Sequence, residues 1–324
     1  METLFPDLST DEVLTRARAH YTPNYRQAPF VLVRGEGVWV WDRDGTRYLD
    51  FIAGIAVSSL GHGHPRLVAA IREQADKLIH TSGLYHHEPA VALMDMLTQV
   101  SFADRVFFGN SGAEANEAAL KLCRRYWTTV KERPEKTEVL AFESSFHGRT
   151  FATLTATGQA KYQKGFEPLL PGFHYAPFAD LDAAQAALEG AGGKIGTVII
   201  EPIQCEGGLH VPSNDYLLGL RKLCDAHEAL LVFDEVQTGV GRTGEWFCYE
   251  ISSATPDVMT LAKGLGGGVP VGAMCCTEEV SQAFVPGAHA STFGGNPLAT
   301  RAALEVLRTI RDDRLLDHVY ETGE

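Results

Sequence analysis

The sequence is short of cysteine, and its six residues of that type, Cys123, Cys205, Cys224, Cys248, Cys275 and Cys276, include no C-x-x-C pair. That removes the redox and metal motifs built on that spacing, and scatter through apolar segments suits reduced, buried thiols in a cytoplasmic protein. Positive charge is also scarce: 28 Lys and Arg stand against 41 Asp and Glu, for a net charge of -13. Such a field repels phosphate backbones, and no basic run with interleaved aromatics offsets it, which argues against a nucleic-acid partner. No apolar run approaches membrane-spanning length. The opening METLFPDLSTDEVL is acidic and lacks the basic start and apolar stretch of a signal peptide, so a soluble protein is expected. The histidines of GHGHP (His62, His64) and YHHE (His86, His87) lack a spacing that sets several ligands on one face, so no metal is expected. Internal repeats and low-complexity segments are absent as well.

What is present is enough apolar material, 45% of 324 residues, to bury a large core in one big domain plus a smaller one. Residues 31 to 50 alternate apolar and polar between turn signals at Gly35 and Asp44-Gly45, the pattern of a small antiparallel meander. From Pro65 onward helical stretches alternate with short apolar runs at 106 to 108, 139 to 142, 197 to 200 and 230 to 233, which suit parallel strands buried on both faces. Segments 112 to 131 and 214 to 228 have the period and length of crossover helices, and 297 to 311 reads as a further helix. Beyond it the chain is polar, with no evident closing element. The fold class is α/β.

Ligands in open α/β sheets sit beyond the carboxyl ends of the strands, so polar residues that directly follow apolar runs carry the functional signal. Four junctions have them. In VFFGNSGAEANEAALKL (106 to 122) a strand runs through Asn110-Ser111-Gly112 into a helix, whose free amides and serine hydroxyl make a phosphate cradle; a plain capping box of Ser111 and Glu114 explains the same residues. LLVFDEVQ (230 to 237) leaves Asp234 and Glu235 at the end of a buried strand, where a carboxylate needs a partner: a protonated ring nitrogen, an arginine, or backbone amides at a strand end. TLAKGLGGGVPVGA (260 to 273) sets Lys263 after an apolar run and before glycines that admit close backbone approach. Burial there supplies the depressed pKa an amine nucleophile needs. TVIIEPIQCEGG (197 to 208) ends a strand in Glu201, with Glu206 five residues on; two acids near one site can hold or release a cation, while Glu206 alone reads equally as a solvated loop acid.

Competing motifs fit less well. A P-loop places its lysine after the glycines, and Lys263 precedes them. GVGRTG (239 to 244) matches a dinucleotide fingerprint, but an aromatic stretch follows it where a helix should open. GNSGA (109 to 113) has the outline of a nucleophile elbow with Ala113 in the place of its last glycine, and a serine hydrolase leaves Lys263 unexplained.

Taken together, FGNSGAEANEAALKL, SFHGRT, EPIQCEGG, FDEVQTGVGRTG, PDVMTLAKGLGGG and TFGGNPLA resemble, in order and over nearly the whole chain, the motifs of the class III (subgroup II) aminotransferases. Within that family the wording of GIAVSSLGHGHP, FFGNSGAEANEAALKL and TFGGNPLA is most similar to the branch acting on acetylornithine, with the ornithine, succinylornithine and 4-aminobutyrate branches as close cousins. The resemblance implies the fold type I architecture of pyridoxal 5'-phosphate enzymes: a large domain with a mostly parallel sheet at 56 to 295, and a smaller α+β domain formed by 1 to 55 and 296 to 324. It implies a homodimer whose subunits share active sites, small amino-acid and 2-oxo-acid substrates, and transfer of a terminal amino group to 2-oxoglutarate. Position by position it makes Lys263 the Schiff-base lysine and proton shuttle and Asp234 the partner of the pyridine nitrogen. Ser111, Gly112 and Ala113 cradle the phosphate, joined by Thr292 of the second subunit; Phe146 stacks on the ring beside His147, Gln237 bonds the phenolic oxygen, and Glu201 lies on the cofactor side. Arg149 clamps the substrate carboxylate, Ser291 and the loop with Val57 and Ser58 line the substrate side, and Glu206 matches a glutamate that masks a C-terminal arginine. That arginine has no counterpart in these 324 residues, so a truncated chain is expected. An inactive fragment serving only as a dimer partner is the rival reading.

Overall fold

The computed structural model of the protein describes residues 4–323; Met1–Thr3, where the acidic opening segment starts, and Glu324, the last residue of the closing stretch, lie outside them. After a first helix, α1 (Thr10–His20), the chain forms a separate three-stranded antiparallel sheet of β1 (Leu32–Glu36), β2 (Trp39–Asp42) and β3 (Arg47–Leu49). This is the expected meander with one correction. Its first turn falls at Gly37, which has φ +57°, while Gly35 lies within β1 opposite Val40. The second turn is held as expected around Asp44-Gly45, by Asp42 accepting from the amides of Asp44 and Thr46.

Helices α2 (Pro65–Lys77) and α3 (Glu88–Gln99) lead into the main body. There β4 (Arg105–Gly109), α4 (Gly112–Arg125), β5 (Glu138–Phe142), α5 (Phe151–Ala156), β6 (Phe173–Ala176), α6 (Leu181–Gly190), β7 (Ile195–Ile200), α7 (Asn214–Ala226), β8 (Leu230–Asp234), β9 (Val258–Leu261) and β10 (Gly272–Cys276) follow, and then α8 (Pro297–Asp312) and α9 (Leu315–Gly323). The strands form a seven-stranded sheet in the order β4-β10-β9-β8-β7-β5-β6. From β6 to β9 neighbours pair in parallel, and β10 is antiparallel to both β9 and β4.

All of β7 and β8 is buried, because both faces of the sheet are covered. Successive side chains alternate between two cores: Val198, Ile200, Leu231 and Phe233 enter one with α3 and α8, while Ile199 and Val232 enter the other with α4. Each such side chain stabilises the fold by roughly 1.5–3 kcal/mol of transfer free energy. No single polar face is left, so these strands read as continuous apolar runs.

Two expectations are corrected. The 106 to 108 run is a strand, but it has no parallel neighbour; β4 sits at the sheet edge, and the reversed β10 lies between it and β9. Since β10 is antiparallel to both, β4 still runs in the direction of β9 and ends at the same edge of the sheet. The polar closing stretch is also structured, with Leu315–Gly323 forming a helix that packs back on α8. No helix among the described residues is long and apolar enough to cross a membrane.

Candidate active site

The carboxyl ends of β4, β5, β7, β8 and β9 converge on a cavity of about 460 Å³. At its edge the chain leaves β9 through Ala262 into a short 3₁₀ turn, Lys263–Gly266, with Lys263 itself at φ +40°. A lysine in the left-handed region is uncommon and strained, and here the turn carries its side chain into the cavity. Its ammonium donates to Gln237 Oε1. Burial holds the amine below the ordinary lysine range, against the opposing charges of Asp234, Glu201 and Glu206. It is an amine that can lose its proton more readily than a surface lysine.

Asp234, the last residue of β8, is buried, with both carboxylate oxygens hydrogen-bonded. Its Oδ2 accepts from Asn116 Nδ2 at 2.7 Å and lies 2.8 Å from His147 Nδ1; its Oδ1 accepts from the amide of Val236 at 3.1 Å. Burial alone pulls the His147 imidazole down, but the hydrogen bond and charge of Asp234, with Glu201 adding, hold its pKa above the ordinary value. The other ring nitrogen, Nε2, is buried with no hydrogen-bond partner among the described residues. Glu201, just past β7, accepts from the amide of Phe146 at 2.9 Å, and burial pushes its carboxyl up to about 7.

The phosphate cradle and the capping box read at residues 110 to 114 resolve into one structure. Ser111 is the N-cap of α4, its Oγ accepting from the Glu114 amide at 3.2 Å. Glu114 reaches past the cap and accepts from the backbone and side-chain nitrogens of Asn110, at 2.9 and 2.8 Å. The first-turn amides of Gly112 and Ala113 have no acceptor within the helix and border the cavity. A Cβ on Gly112 would stand 2.8 Å from Val236 Cγ1, so this approach requires glycine. No histidine is hydrogen-bonded to Ser111 among the described residues, and the nucleophile-elbow reading lacks its base.

Arg149 lies at the mouth, its guanidinium 3.9 Å over the Tyr162 ring and 5.4 Å from that of Phe146, with no ion pair among the described residues. Glu206 lines the same cavity, accepting from Gln159 Nε2 at 2.8 Å and from the Tyr162 hydroxyl.

Val57, Ser111, Gly112, Ala113, Phe146, His147, Arg149, Glu201, Glu206, Asp234, Gln237 and Lys263 therefore border one space. Ser291 stands next to it, its Oγ accepting from Asn110 at 3.1 Å, whereas Ser58 and the exposed Thr292 are not among the lining residues. Sequence reasoning passed over Asn116, Val236, Tyr162 and Gln159. Only Asn116 left a signal: an amide among alanines and leucines on the buried face of α4, which has to be partnered. GVGRTG is a run of turns with no helix until Tyr249.

The donors and acceptors fit an anionic group at the α4 N-terminus, a planar ring beside Phe146, a ring N–H on Asp234 and an aldehyde within reach of Lys263. Residues 20–324 match the family model of the class-III aminotransferases. The chain is 51% identical over 319 residues to an acetylornithine aminotransferase of Myxococcus xanthus, covering 98% of this chain and 78% of that one. Among solved structures it is similar to an ornithine aminotransferase of Toxoplasma gondii with pyridoxal phosphate in partial occupancy at its active site, at TM-score 0.91 and 35% identity, covering 95% of this chain and 72% of the other. An acetylornithine aminotransferase from Elizabethkingia anophelis aligns at TM-score 0.84 and 34% identity over 95% of this chain and 75% of the other. A match over this much of its length, on the fold and around the cavity described, makes this chain a member of the class-III aminotransferase family.

Proposed function

We propose that the cavity holds pyridoxal 5'-phosphate and that the protein moves the terminal amino group of N-acetylornithine to 2-oxoglutarate. The observation that carries this reading is the meeting of the Lys263 amine, the Asp234 carboxylate and the N-terminus of α4 in one space. When bound, the cofactor supplies an electron sink for the carbon next to the transferred nitrogen. Lys263 is then its covalent anchor and the base that takes and returns the proton of that carbon; burial lowers its pKa toward that task. Asp234 holds the proton of the ring nitrogen, Gln237 orients the Lys263 amine and the phenolic oxygen, Phe146 covers the ring with His147 beside it, and Glu201, on the cofactor side, holds the Phe146 amide. Ser111, Gly112 and Ala113 receive the phosphate, completed by Thr292 of the partner subunit in a homodimer. Arg149, stacked on Tyr162 at the mouth and without an ion pair among the described residues, suits a substrate carboxylate in bidentate fashion. Val57, Ser58 and Ser291 border the substrate, and Glu206, at the same cavity, suits the role of the glutamate that masks an arginine while the amine donor is bound. Six free cysteines, five of them buried, support a cytoplasmic setting.

Relatives named for acetylornithine at about half identity favour that donor, and a neighbour named for ornithine supports ornithine as the second reading. The test is to titrate the purified chain with pyridoxal phosphate and supply N-acetylornithine, ornithine and 4-aminobutyrate in turn with 2-oxoglutarate. The visible band of the lysine-bound cofactor is expected, with the highest kcat/KM for N-acetylornithine, and Lys263→Ala should lose both band and turnover. A Lys263→Ala protein that keeps them, or a wild type that prefers ornithine, overturns the corresponding half of the reading.

A further inference from the structure

Asn116 projects from the buried face of α4, is 1% exposed, and has both polar atoms of its amide hydrogen-bonded. Its Nδ2 donates to both Asp234 Oδ2 (2.7 Å) and the His147 carbonyl (2.8 Å), and its Oδ1 accepts from the hydroxyl of Thr260 on β9 at 2.6 Å. Thr260 thereby fixes which way the amide faces: with the hydroxyl donating to Oδ1, the NH₂ group is turned to the aspartate. Oδ2 of Asp234 has two neighbours, Asn116 and His147, and its two lone pairs are spent on them. Oδ1 accepts from the Val236 amide alone among the described residues, and keeps one lone pair.

We infer that Asn116, set by Thr260, is a positioning residue that saturates Oδ2 of Asp234 and so leaves Oδ1 as the atom presented to a ring N–H in the cavity. The inference rests on the proposed cofactor site and deepens it. Without Asn116 the carboxylate retains His147 and Val236 but loses the donor that ties it to α4, and its plane is held less tightly against rotation about the Cβ–Cγ bond. A ring nitrogen then meets an acceptor that is correctly placed only part of the time.

The experiment compares how tightly the cofactor-free protein binds pyridoxal phosphate and its carbocyclic analogue, in which a carbon replaces the ring nitrogen. Both carry the same phosphate and aldehyde, so their links to α4 and Lys263 cancel in the affinity ratio. Wild type should prefer pyridoxal phosphate. Asn116→Ala should reduce that preference by about tenfold, the size of one charge-assisted hydrogen bond. Thr260→Val, which acts one residue further away and preserves side-chain volume, should reduce it in the same direction, and Thr260→Ser should restore it. A general loosening of the fold weakens both ligands alike and leaves the ratio untouched. If wild type binds neither ligand, or binds both equally, the cofactor-site reading itself fails. If wild type discriminates while Asn116→Ala and Thr260→Val discriminate just as well, the positioning role alone is overturned; should Asn116→Ala not fold, the two Thr260 variants decide.

Discussion

Asp234 and Glu235 are adjacent acids with opposite environments, since successive side chains at a strand end point to opposite sides. Asp234 opens on the cavity, whereas Glu235 is completely buried behind it, its Oε2 accepting from the Cys248 amide (2.6 Å) and the Thr238 hydroxyl (3.1 Å), its Oε1 from the Tyr249 amide (2.9 Å). The carboxyl thus ties the end of β8 to the segment that leads into β9. Burial pushes its pKa from the ordinary 4.5 up to about 7 despite these donors. The folded protein therefore binds the Glu235 proton more tightly than the unfolded chain, and stability falls as pH rises between about 4.5 and about 7. Glu235→Gln removes this dependence. Chemical unfolding across that window should show the gap between the two proteins changing by roughly 3 kcal/mol in favour of the variant as pH rises. The absolute level is a separate matter, because an amide nitrogen has to face one of the three donors. A gap that stays constant with pH would mean that Glu235 does not titrate there. At this scale the sequence was readable where a polar side chain followed an apolar run, as at Glu201, Asp234 and Lys263. It was silent on Tyr162 and Gln159, whose roles at Glu206 depend on how the loop after α5 returns to the end of β7, a matter of tertiary geometry that no local pattern carries.

The helix α4 has two tasks at its N-terminus: the cap that starts it and the amides that face the cavity. Ser111→Ala deletes the hydroxyl that accepts from the Glu114 amide, and a lost serine cap costs about 1 kcal/mol of stability, whereas glycine at the same place costs a few tenths. Urea unfolding of the cofactor-free protein should order the three as wild type, Ser111→Gly, Ser111→Ala. Pyridoxal phosphate affinity should fall in both variants, since each lacks the hydroxyl. An affinity that follows the stability order, with Ser111→Gly near wild type, would assign the serine to capping alone. Elements themselves were legible in proportion to their burial. The segments 197 to 200 and 230 to 233 are strands covered on both faces, and 214 to 228 and 297 to 311 gave helices within two residues of their observed ends. Strands β6 and β10 were not foreseen. The first is a half-exposed edge strand with no clean alternation, and the second begins at Gly272, two residues past Pro270 and shortly after the glycines at 266 to 268, a stretch that reads as loop. The reversed direction of β10 was also out of reach, because an apolar run encodes burial and not polarity of the chain.

For the molecule as a whole, the remaining feature is large apolar side chains facing outward in the segments that approach the cavity. Phe51 is 89% and Leu84 87% exposed, and Ile52, Ile55, Tyr85 and Phe293 are also open. Two of these segments are neighbours: the Phe293 ring lies 5.2 Å from that of His80, and His87 Nε2 sits 2.9 Å from the Gly295 carbonyl. Phe51 to Ile55 run directly into Val57 at the cavity, and Phe293 follows Thr292. Apolar side chains of this kind are what a contact would bury, and on a chain with net charge -13 an association of copies needs such a patch to overcome the repulsion. In the proposed homodimer a two-fold axis would use the same patch from both sides, with Thr292 of the partner subunit expected near the first-turn amides of α4. Sedimentation of the wild-type protein should therefore give a dimer, and Phe51→Glu combined with Leu84→Glu should give a monomer, since each new carboxylate is placed twice in a two-fold interface. The same double variant should bind pyridoxal phosphate more weakly, although neither residue lines the cavity. Weakened binding with the dimer intact would point to local damage at the 51 to 57 segment, and a monomer that binds at full strength would remove Thr292 of the partner subunit from the site.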